Sequence, residues 1–392
     1  MGKTPKYQQV VDWVHERILS GELKMDDRLE TEAEISTRFD FSRQTIRQAL
    51  SILEREGVIH RVQGSGSYVS GIPSIPGTSL QGAVTIISSY TDSYIFPRIL
   101  QAMSRVLQES GYATRIMFTN NQREIEKKIL LDLIRTGSRD PIIAEPVTSA
   151  LPNPNPEYYE DLRRVGIPIL FFNTFYPAST IPHVSLDDTA AGLMAANHLI
   201  EMGHRKIGCI FKSDDGQGIR RYDGYQHALI KAGIPLEERR IVWVDTVGLT
   251  DAVKRGSWIL DRLGDSTAVV CYNDEVAYRL VQLCQERQIR IPDQLSVTSI
   301  DNSRLTELCT VPLTSISHPM EALGEKAAGN LLEMMRKPGF YGTFEFAPTI
   351  TIRESTAPLA GSRASGKATV SAAQVSQTEQ ELQENQENER IW

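Results

Sequence analysis

Residues 42–47, Ser-Arg-Gln-Thr-Ile-Arg, combine side chains whose types and spacing suit the recognition of DNA bases. Ser42 stands where a serine caps a helix, with its hydroxyl accepting from backbone amides of the first turn. On such a helix Arg43, Gln44 and Arg47 face outward, and the forked donors of Arg and Gln match guanine and adenine edges in the major groove. An isolated polar helix face is more often simply solvated, so the neighbouring segments must decide between the two interpretations.

The apolar residues around this stretch predict how the helix packs. Four of them recur at i, i+3, i+4 and i+7 and form one inward stripe, namely Ile46, Ala49, Leu50 and Leu53. The helix before it opens with Thr31-Glu32-Ala33-Glu34, which is the pattern of a capping box. Two short helices joined by a tight turn, the second with an outward Arg/Gln/Thr set, are typical of a helix-turn-helix.

Beyond Gly57 the pattern changes from helical to extended. Residues 58–63 and 67–70 are two β-prone runs, and Gly64-Ser65-Gly66 lies between them. Two such runs around a glycine-containing turn are typical of a β-hairpin. Residues 1–70 are therefore predicted to form a winged helix-turn-helix.

Residues 5–70 resemble the GntR family of bacterial regulators in three segments: TEAE at 31–34, SRQTIRQAL at 42–50 and VQGSGSYV at 62–69. The resemblance implies contact with double-stranded operator DNA. The implied contact residues are Lys6, Arg43, Thr45, Arg47 and Gln63, with Glu32 and Gln44 as further candidates and Gly64 and Gly66 where the wing approaches a groove. Two alternatives stay open, because Glu32 also suits helix capping and the two glycines also suit a plain turn.

Composition limits the class of protein. A chain of 392 residues, 41% of them hydrophobic, is long enough for two or three domains. The net charge of −7 excludes a protein that is basic throughout, so DNA contact must come from a local patch. The four cysteines lack disulfide or zinc spacing and fit buried thiols in a reducing cytosol. With no signal peptide and no apolar run of membrane length, we expect a cytoplasmic protein without membrane contact.

Two segments have the composition of connectors or tails. Residues 71–81 are rich in Gly, Pro and Ser, which predicts a linker between domains. Residues 357–392 are rich in Ala, Ser, Gln and Glu and lose apolar periodicity, so a disordered tail is predicted there. An amphipathic helix around residues 379–390 is the alternative.

Residues 82–356 alternate short apolar runs with amphipathic segments. Eight runs predict strands, at residues 83–87, 115–118, 142–144, 167–172, 206–211, 241–244, 268–272 and 295–300. The segments between them include predicted helices at residues 98–108, 189–201, 221–231, 251–263 and 275–288. Strict alternation of strand and helix predicts an α/β domain with parallel sheets covered on both faces, arranged as one large sheet or as two lobes.

Ligands of such sheets bind beyond the carboxyl ends of the strands, where polar and aromatic residues accumulate in this sequence. These residues are Tyr94, Phe96, Glu145, Asn173, Lys212, Asp214, Asp215, Asn273, Asp274 and Asp301, with Arg221 on a following helix. Carboxylates, amides and Arg beside aromatic rings suit a sugar, whose hydroxyls need partners and whose ring needs a flat surface. Asp and Asn also cap helices at such positions. We expect capping or loop roles for Asp188 and Asp214, and ligand contact for Asp274 and Arg221.

Five segments resemble the effector domain of the LacI/GalR family, itself similar to periplasmic sugar-binding proteins: SLDDTAAG at 185–192, SDDGQGIRRYDGY at 213–225, CYNDEVA at 271–277, IPDQLSVTSIDNS at 291–303 and LTSISHP at 313–319. The resemblance implies a two-lobed, periplasmic-binding-protein-like domain. The chain would cross between the lobes at three points, near residues 182–185, 302 and 317. The resemblance also implies that Arg221 and Asp274 hold sugar hydroxyls. It adds His318 as a further candidate, for which packing inside the protein is the alternative.

A GntR-type head joined to a LacI/GalR-type domain resembles the arabinose repressors, with the further segments SYIFP at 93–97, EPVTSAL at 145–151 and GCIFKSDDGQG at 208–218. That resemblance implies a homodimeric repressor that L-arabinose releases from its operator. Residue spacing alone supports only a small polar ligand such as a sugar. A repressor of the same architecture for another sugar is the alternative, and the missing secretion signal disfavours a transport protein. The sequence has no phosphate loop or nucleophile elbow, so we expect no enzyme, catalytic residue, cofactor or metal site.

Overall fold

The computed structural model describes residues 5–19, 22–23, 27–55, 58–62, 66–69, 82–90, 94–248, 256–337 and 339–359. Gln63 and Gly64, the predicted linker and the predicted late helix lie outside the described residues. The chain divides into two compact units. Unit 1 is Met1–Glu145, Pro154–Phe172 and Glu321–Thr343, and unit 2 is Pro146–Asn153, Asn173–Met320 and Phe344–Trp392.

Unit 1 begins with the elements of the predicted head: α1 (Lys6–Leu19), α2 (Glu32–Phe39), α3 (Arg43–Arg55), β1 (Ile59–Val62) and β2 (Gly66–Val69). The two strands pair antiparallel, with Ile59 opposite Val69. Side chains from the helices and both strands form one apolar core, and the predicted α3 stripe lies within it. The structure therefore confirms the winged helix-turn-helix fold.

Local hydrogen bonds fix where the head's helices begin. Thr31 Oγ1 accepts from the Glu34 amide, and the Glu34 carboxylate accepts from the Thr31 amide at 2.7 Å, which completes the capping box. Ser42 Oγ accepts from the Thr45 amide at 3.2 Å. Both capping predictions are confirmed, so the outward face of α3 starts where the sequence places it.

The rest of unit 1 is an α/β arrangement. Its elements are β3 (Gly82–Ser88), α4 (Phe96–Glu109), β4 (Tyr112–Phe118), α5 (Arg123–Thr136), β5 (Ile142–Ala144), α6 (Pro156–Arg164), β6 (Ile169–Asn173, whose last residue belongs to unit 2) and most of α12 (Met320–Arg336). The strands are parallel and follow the order β4-β3-β5-β6. Ile86 on β3 lies between Ile116 and Ile143, which sets the register.

Unit 2 is a second α/β arrangement around a six-stranded sheet. Its elements are β7 (His183–Leu186), α7 (Asp188–Glu201), β8 (Ile207–Lys212), α8 (Gly216–Lys231), a 3₁₀ turn (Glu238–Arg240), β9 (Ile241–Val244), α9 (Ser257–Leu263), β10 (Ala268–Cys271), α10 (Asp274–Glu286), β11 (Ser296–Asp301), α11 (Leu305–Leu308), β12 (Thr314–Ser317), β13 (Phe344–Phe346) and β14 (Thr349–Thr351). The sheet order is β14-β12-β11-β10-β8-β9, and β14 alone in it runs antiparallel to its neighbour. Strand β7 pairs parallel with β13.

The eight predicted strands are all present, but four further strands were not predicted as such, namely β7, β12, β13 and β14. Each is three or four residues long. Ser185 and Ser315 are fully buried within β7 and β12, so these strands lack the apolar run that a buried strand usually shows. Of the predicted helix at residues 251–263, the described part begins at residue 256. None of the described helices combines the length and the hydrophobicity needed to cross a membrane.

Helices α7 and α8 cross at two glycines. A Cβ on Gly192 would overlap the carbonyl oxygen of Arg221, and a Cβ on Gly224 would overlap that of Thr189. The glycines therefore allow the two backbones to touch. This close crossing brings the start of α7 next to Arg221 on α8.

We expect Gly224→Ala to destabilise the protein by about 1–3 kcal/mol or more, because the methyl group has no room unless the helices separate. Gly329→Ala on α12 is the matched control, since its added Cβ would meet nothing within 4 Å. That variant should be neutral or stabilising by about 0.5–1 kcal/mol. Urea unfolding measures both, and equal midpoints for the two variants would contradict the close-crossing argument.

Candidate functional site

The outward face of α3 carries the predicted DNA-reading residues. Arg43, Gln44 and Arg47 are exposed, and Thr45 is half-buried. Their backbone is held by the buried stripe on the opposite side of the helix. The donors therefore project from a helix that is itself fixed, which is the geometry that groove recognition needs.

Glu32 on α2 contacts Arg47 on α3. The Glu32 Oε2 atom accepts from Arg47 Nε at 2.8 Å, while 66% of the Arg47 side chain stays exposed. Glu32 is not the cap of α2, because Thr31 and Glu34 fill that role. Glu32 is thus placed to orient Arg47, a role that was not predicted from the sequence.

Two other predicted DNA contacts of the head lie in its described part. Lys6 is exposed at the start of α1, with Nζ 5.0 Å from the centroid of the Phe41 ring. Gly66 opens β2 with a φ of +131°, and a Cβ there would lie 3.0 Å from Arg28 Nε. Its backbone conformation therefore favours glycine at this position, whereas the flexible Arg28 side chain could shift to admit a Cβ.

Three effector candidates lie in unit 1. Glu145 follows β5 and is buried, and its Oε2 accepts from the Ser89 amide at 2.8 Å. Phe96 begins α4 and is also buried, with its ring 5.6 Å from that of Tyr90. Tyr94 precedes it with a φ of +59°. The strand ends of unit 1 thus hold these candidates by local contacts.

In unit 2 a buried arginine joins two strand ends and a helix start. Arg221 on α8 is 1% exposed and donates from Nε to Asp188 Oδ1 at 2.8 Å. It donates from Nη1 to the Tyr272 carbonyl at 2.7 Å and from Nη2 to Asp301 Oδ1 at 3.1 Å. Arg220 adds a second ion pair to Asp188 at 3.0 Å. We call these five residues the Arg221 cluster.

Charge compensation explains how the cluster tolerates burial. Burial alone would lower the pKa of Arg221, but the carboxylates of Asp301 and Asp188 outweigh burial and raise it. The guanidinium is therefore permanently charged. The Arg221 Cζ atom also lies 4.9 Å from the Tyr272 ring centroid. A fixed cation, a carboxylate and an aromatic ring are together the partners that sugar hydroxyls and a sugar ring require.

A second group of polar side chains lies in the same unit. Asn173, at the end of β6, accepts at Oδ1 from Gln217 Nε2 at 3.2 Å and lies 3.1 Å from His318 Nε2. The Tyr272 hydroxyl donates to Asp215 Oδ2 at 2.8 Å. Asp215 was among the polar residues expected at the strand ends, whereas Gln217 and Tyr272 were not predicted there. Their signal in the sequence was proximity to Arg221 and Asn273 within the same segments.

Lys212 ends β8 within a small charged group. Its Nζ lies 3.4 Å from Asp215 Oδ2 and 3.7 Å from Asp214 Oδ1, and 5.6 Å from the Tyr272 ring centroid. Asp214 also accepts from the Thr246 amide at 3.0 Å, which matches the loop role expected for it. Lys212 lies among anionic and aromatic partners within unit 2.

The expected capping role of Asp188 is wrong. Asp187 caps α7 by accepting from the Ala190 amide at 2.9 Å, whereas the buried Asp188 carboxylate faces Arg220 and Arg221. Consecutive aspartates cannot both cap one helix, because successive side chains point in different directions. The Asp188 carboxylate, one position beyond the N-cap, instead pairs with the two arginines.

Asp274 and Asn273 have partners at the start of α10. Asn273 Oδ1 accepts from the Val276 amide at 3.0 Å and caps the helix. The fully buried Asp274 carboxylate accepts from the hydroxyls of Ser299 and Ser315 and from the Ser303 amide. The capping alternative therefore applies to Asn273. Asp274 braces the loop that follows β11, and the ligand contact expected for it stays a prediction.

Burial raises the pKa of Asp274 to about 7, and the nearby Asp301 charge adds to that effect. The folded protein then holds a proton more tightly than the unfolded chain, whose Asp has a pKa of 3.8. Stability should therefore fall as pH rises from about 4 to about 7 and change little above that range. Asp274→Asn should flatten this slope, because its amide oxygen still accepts from Ser303 while its amide nitrogen donates to the serine hydroxyls.

Thermal unfolding of the wild type and of Asp274→Asn across this pH range measures the effect. Asp293→Asn is the control, since it makes the same change in charge on a side chain that is 65% exposed. A wild-type slope retained in Asp274→Asn would show that another group carries the pH dependence.

The four cysteines are buried and unpaired. Burial raises the pKa of each thiol, which keeps it protonated and unreactive. The prediction of buried free thiols is confirmed. In the described part of the chain, no group of His, Cys, Asp and Glu has the arrangement of a metal site.

Models of two protein families match this chain. Bacterial regulatory proteins of the gntR family match residues 6–69, and a periplasmic binding protein-like domain matches residues 196–356. The first match covers the head. The second covers Arg221, Asp274, Asp301 and His318.

Two curated relatives span nearly the whole chain. The arabinose metabolism transcriptional repressor of Geobacillus stearothermophilus is 34% identical over 357 residues, which cover 90% of this chain and 98% of the relative. The protein of the same name from Halalkalibacterium halodurans is 32% identical over 363 residues, with 90% and 96% covered. Among solved structures, a LacI family transcriptional regulator from Silicibacter pomeroyi superposes with a TM-score of 0.61 at 20% identity, over 70% of this chain and 99% of that one. The structural likeness concerns the fold, and the sequence likeness extends to the head.

Proposed function

Since the chain belongs to the family of arabinose metabolism transcriptional repressors, and is a DNA-binding regulator rather than an enzyme, we propose that L-arabinose releases it from its operator. The observation that carries this proposal is the Arg221 cluster, a buried set of fixed charges beside an aromatic ring in the same chain as a DNA-reading head. A repressor of the same architecture that responds to another sugar is the alternative.

The head contacts operator DNA through α3 and the hairpin. Arg43, Gln44 and Arg47 meet base edges or phosphates, and Thr45 supports them from the first turn of α3. Lys6 contacts the DNA backbone next to that helix. Gln63, Gly64 and Gly66 contact the adjoining groove. The exposure of the α3 donors and the gntR-family match support these roles.

The effector is held at the strand ends of unit 2. Arg221 and Asp301 bind hydroxyls of the sugar, and Asn173 and His318 contribute to the same site. Lys212 and Asn273 are further candidates there, and Tyr94, Phe96 and Glu145 are candidates in unit 1. We assign the carboxylate contact to Asp301 rather than Asp274, because three donors of unit 2 already engage Asp274.

The working form is a two-fold homodimer. One winged helix contacts too few base pairs to select a single site in a genome, whereas two heads read paired half-sites. Sugar binding changes the geometry of the dimer so that the two heads can no longer fit both half-sites at once. A coupling of about 1–3 kcal/mol would lower operator affinity about 5-fold to 150-fold.

A mobility-shift titration tests this function. Operator-bound protein at fixed salt is titrated with L-arabinose and with a panel of other pentoses and hexoses. L-Arabinose is expected to release the DNA at the lowest concentration. Release by a different sugar alone would support the alternative effector, and an operator complex insensitive to every sugar would contradict the proposed regulation.

A further inference from the structure

His318 follows β12 and is buried within unit 2, with 5% of its surface exposed. One ring nitrogen, Nε2, lies 3.1 Å from Asn173 Oδ1. That amide oxygen also accepts from Gln217 Nε2, so it faces two donors. A ring nitrogen that faces an amide oxygen carries the proton. Neutral His318 is therefore the Nε2–H tautomer, and its Nδ1 bears a lone pair.

This lone pair has no protein donor. His318 Nδ1 is buried and has no hydrogen-bond partner within the part of the chain that the structure describes. A buried acceptor left unmatched costs about 1–3 kcal/mol. The nearby guanidinium of Arg221 makes no hydrogen bond to Nδ1, and its described hydrogen bonds go to Asp188, Tyr272 and Asp301. A hydroxyl of a bound molecule would supply the missing donor.

We propose that His318 Nδ1 accepts a hydrogen bond from one hydroxyl of the bound sugar and so selects sugars that carry a hydroxyl at that position. This inference rests on the proposed sugar binding by unit 2. The N–H groups of arginine and of amides donate to a sugar oxygen whether or not it carries hydrogen, whereas the unprotonated ring nitrogen only accepts and needs the hydroxyl proton. A site built around such an acceptor rejects an analogue that lacks the hydroxyl, because the acceptor is then left unpaired.

The role requires the neutral ring, because protonation would turn Nδ1 into a donor. Three charged groups act on His318 from the packed elements, namely Asp301 at the end of β11, Arg221 on α8 and Asp188 on α7. Burial lowers the pKa of His318 and Arg221 lowers it further, while the two carboxylates oppose them, so the net shift is downward. The ring is therefore neutral at neutral pH, and sugar affinity should fall as pH falls through its pKa.

Titration calorimetry on the full chain tests the proposal with L-arabinose and its monodeoxy analogues. His318→Gln keeps an amide near the Nε2 position but removes the acceptor at Nδ1, whereas His318→Asn keeps an oxygen near the Nδ1 position. We expect His318→Gln to weaken L-arabinose binding about tenfold. His318→Asn should weaken it less. The affinity of His318→Asn should also no longer fall at acidic pH. One monodeoxy sugar should bind the wild type about tenfold more weakly and lose nothing further in His318→Gln.

The outcomes separate the two proposals. If the wild type binds another sugar of the panel instead, that sugar and its deoxy analogues take the place of L-arabinose in the same set of titrations. Equal losses in both variants, or losses that simply add for every deoxy sugar, would overturn the role of Nδ1 and leave sugar binding intact. If no sugar binds the wild type, the proposed function fails and this inference fails with it.

Discussion

Replacing Arg47 by alanine is expected to weaken operator binding about 100-fold or more while sugar binding stays unchanged. A well-placed base contact contributes about 1–3 kcal/mol, and a two-fold dimer loses it in both heads. The substitution also frees the Glu32 carboxylate, which now accepts from Arg47 Nε. An unpaired negative charge then faces the DNA phosphates. Mobility shifts at one fixed salt concentration, with calorimetric sugar titration in parallel, measure the two properties.

Arg135→Ala is the matched control for Arg47→Ala. Arg135 is 78% exposed on α5, pairs with Asp132 and lies outside the head, so the change in charge is the same without loss of the proposed contact. Its operator affinity should stay within about threefold of the wild type, since one distant charge is largely screened. Equal losses for the two variants would mean that net charge, and not the face of α3, controls binding.

Short-range patterns explain why the head could be predicted from the sequence. The spacing of Ile46, Ala49, Leu50 and Leu53 defines one helix face, and all four side chains are buried. The capping box at Thr31 involves residues three positions apart. Both depend on helix geometry alone, so no knowledge of distant contacts was needed. The orientation of Arg47 by Glu32 joins two helices, and it was accordingly missed.

Long-range pairing explains why the effector site was predicted only in outline. The strand ends that gather polar residues follow from the alternation of strand and helix. Residues far along the chain determine which of the carboxylates at those strand ends is hydrogen-bonded to which protein partner. Asp274 accepts from Ser299 and Ser315, whereas Asp301 meets Arg221, and both aspartates follow an apolar run in the sequence. Periodicity does not distinguish between them, because it contains no information on the partner.

Asp188 likewise shows that a sequence pattern does not identify the partner of a single side chain. Asp187 and Asp188 both follow β7, and the start of α7 decides which one caps the helix. The exact residue at which a helix begins is difficult to infer from sequence, and a shift of one residue is enough to exchange the two roles. The contact that Asp188 makes instead, with Arg221, spans 33 positions of the chain.

Replacing Arg221 by methionine is expected to destabilise the protein by about 3–5 kcal/mol, because it leaves buried carboxylates without their cation. Asp188 is fully buried and Asp301 is 3% exposed, so water cannot replace the guanidinium. The variant should also lose sugar binding. Urea unfolding gives the change in free energy. Arg220→Met is the matched control, because Arg220 also pairs with Asp188 but is 20% exposed, and it should lose less than half as much stability.

A compensated variant separates the structural role of Arg221 from its role in binding. Arg221→Met combined with Asp188→Asn and Asp301→Asn removes the buried charges together, and replacing a whole buried ionic group is often neutral for stability. We expect this triple variant to recover most of the lost stability yet bind no sugar and remain on the operator when L-arabinose is added. Recovery of sugar binding along with stability would mean that the cluster only braces unit 2. Failure to recover stability would mean that Arg221 contributes through packing rather than through its charge.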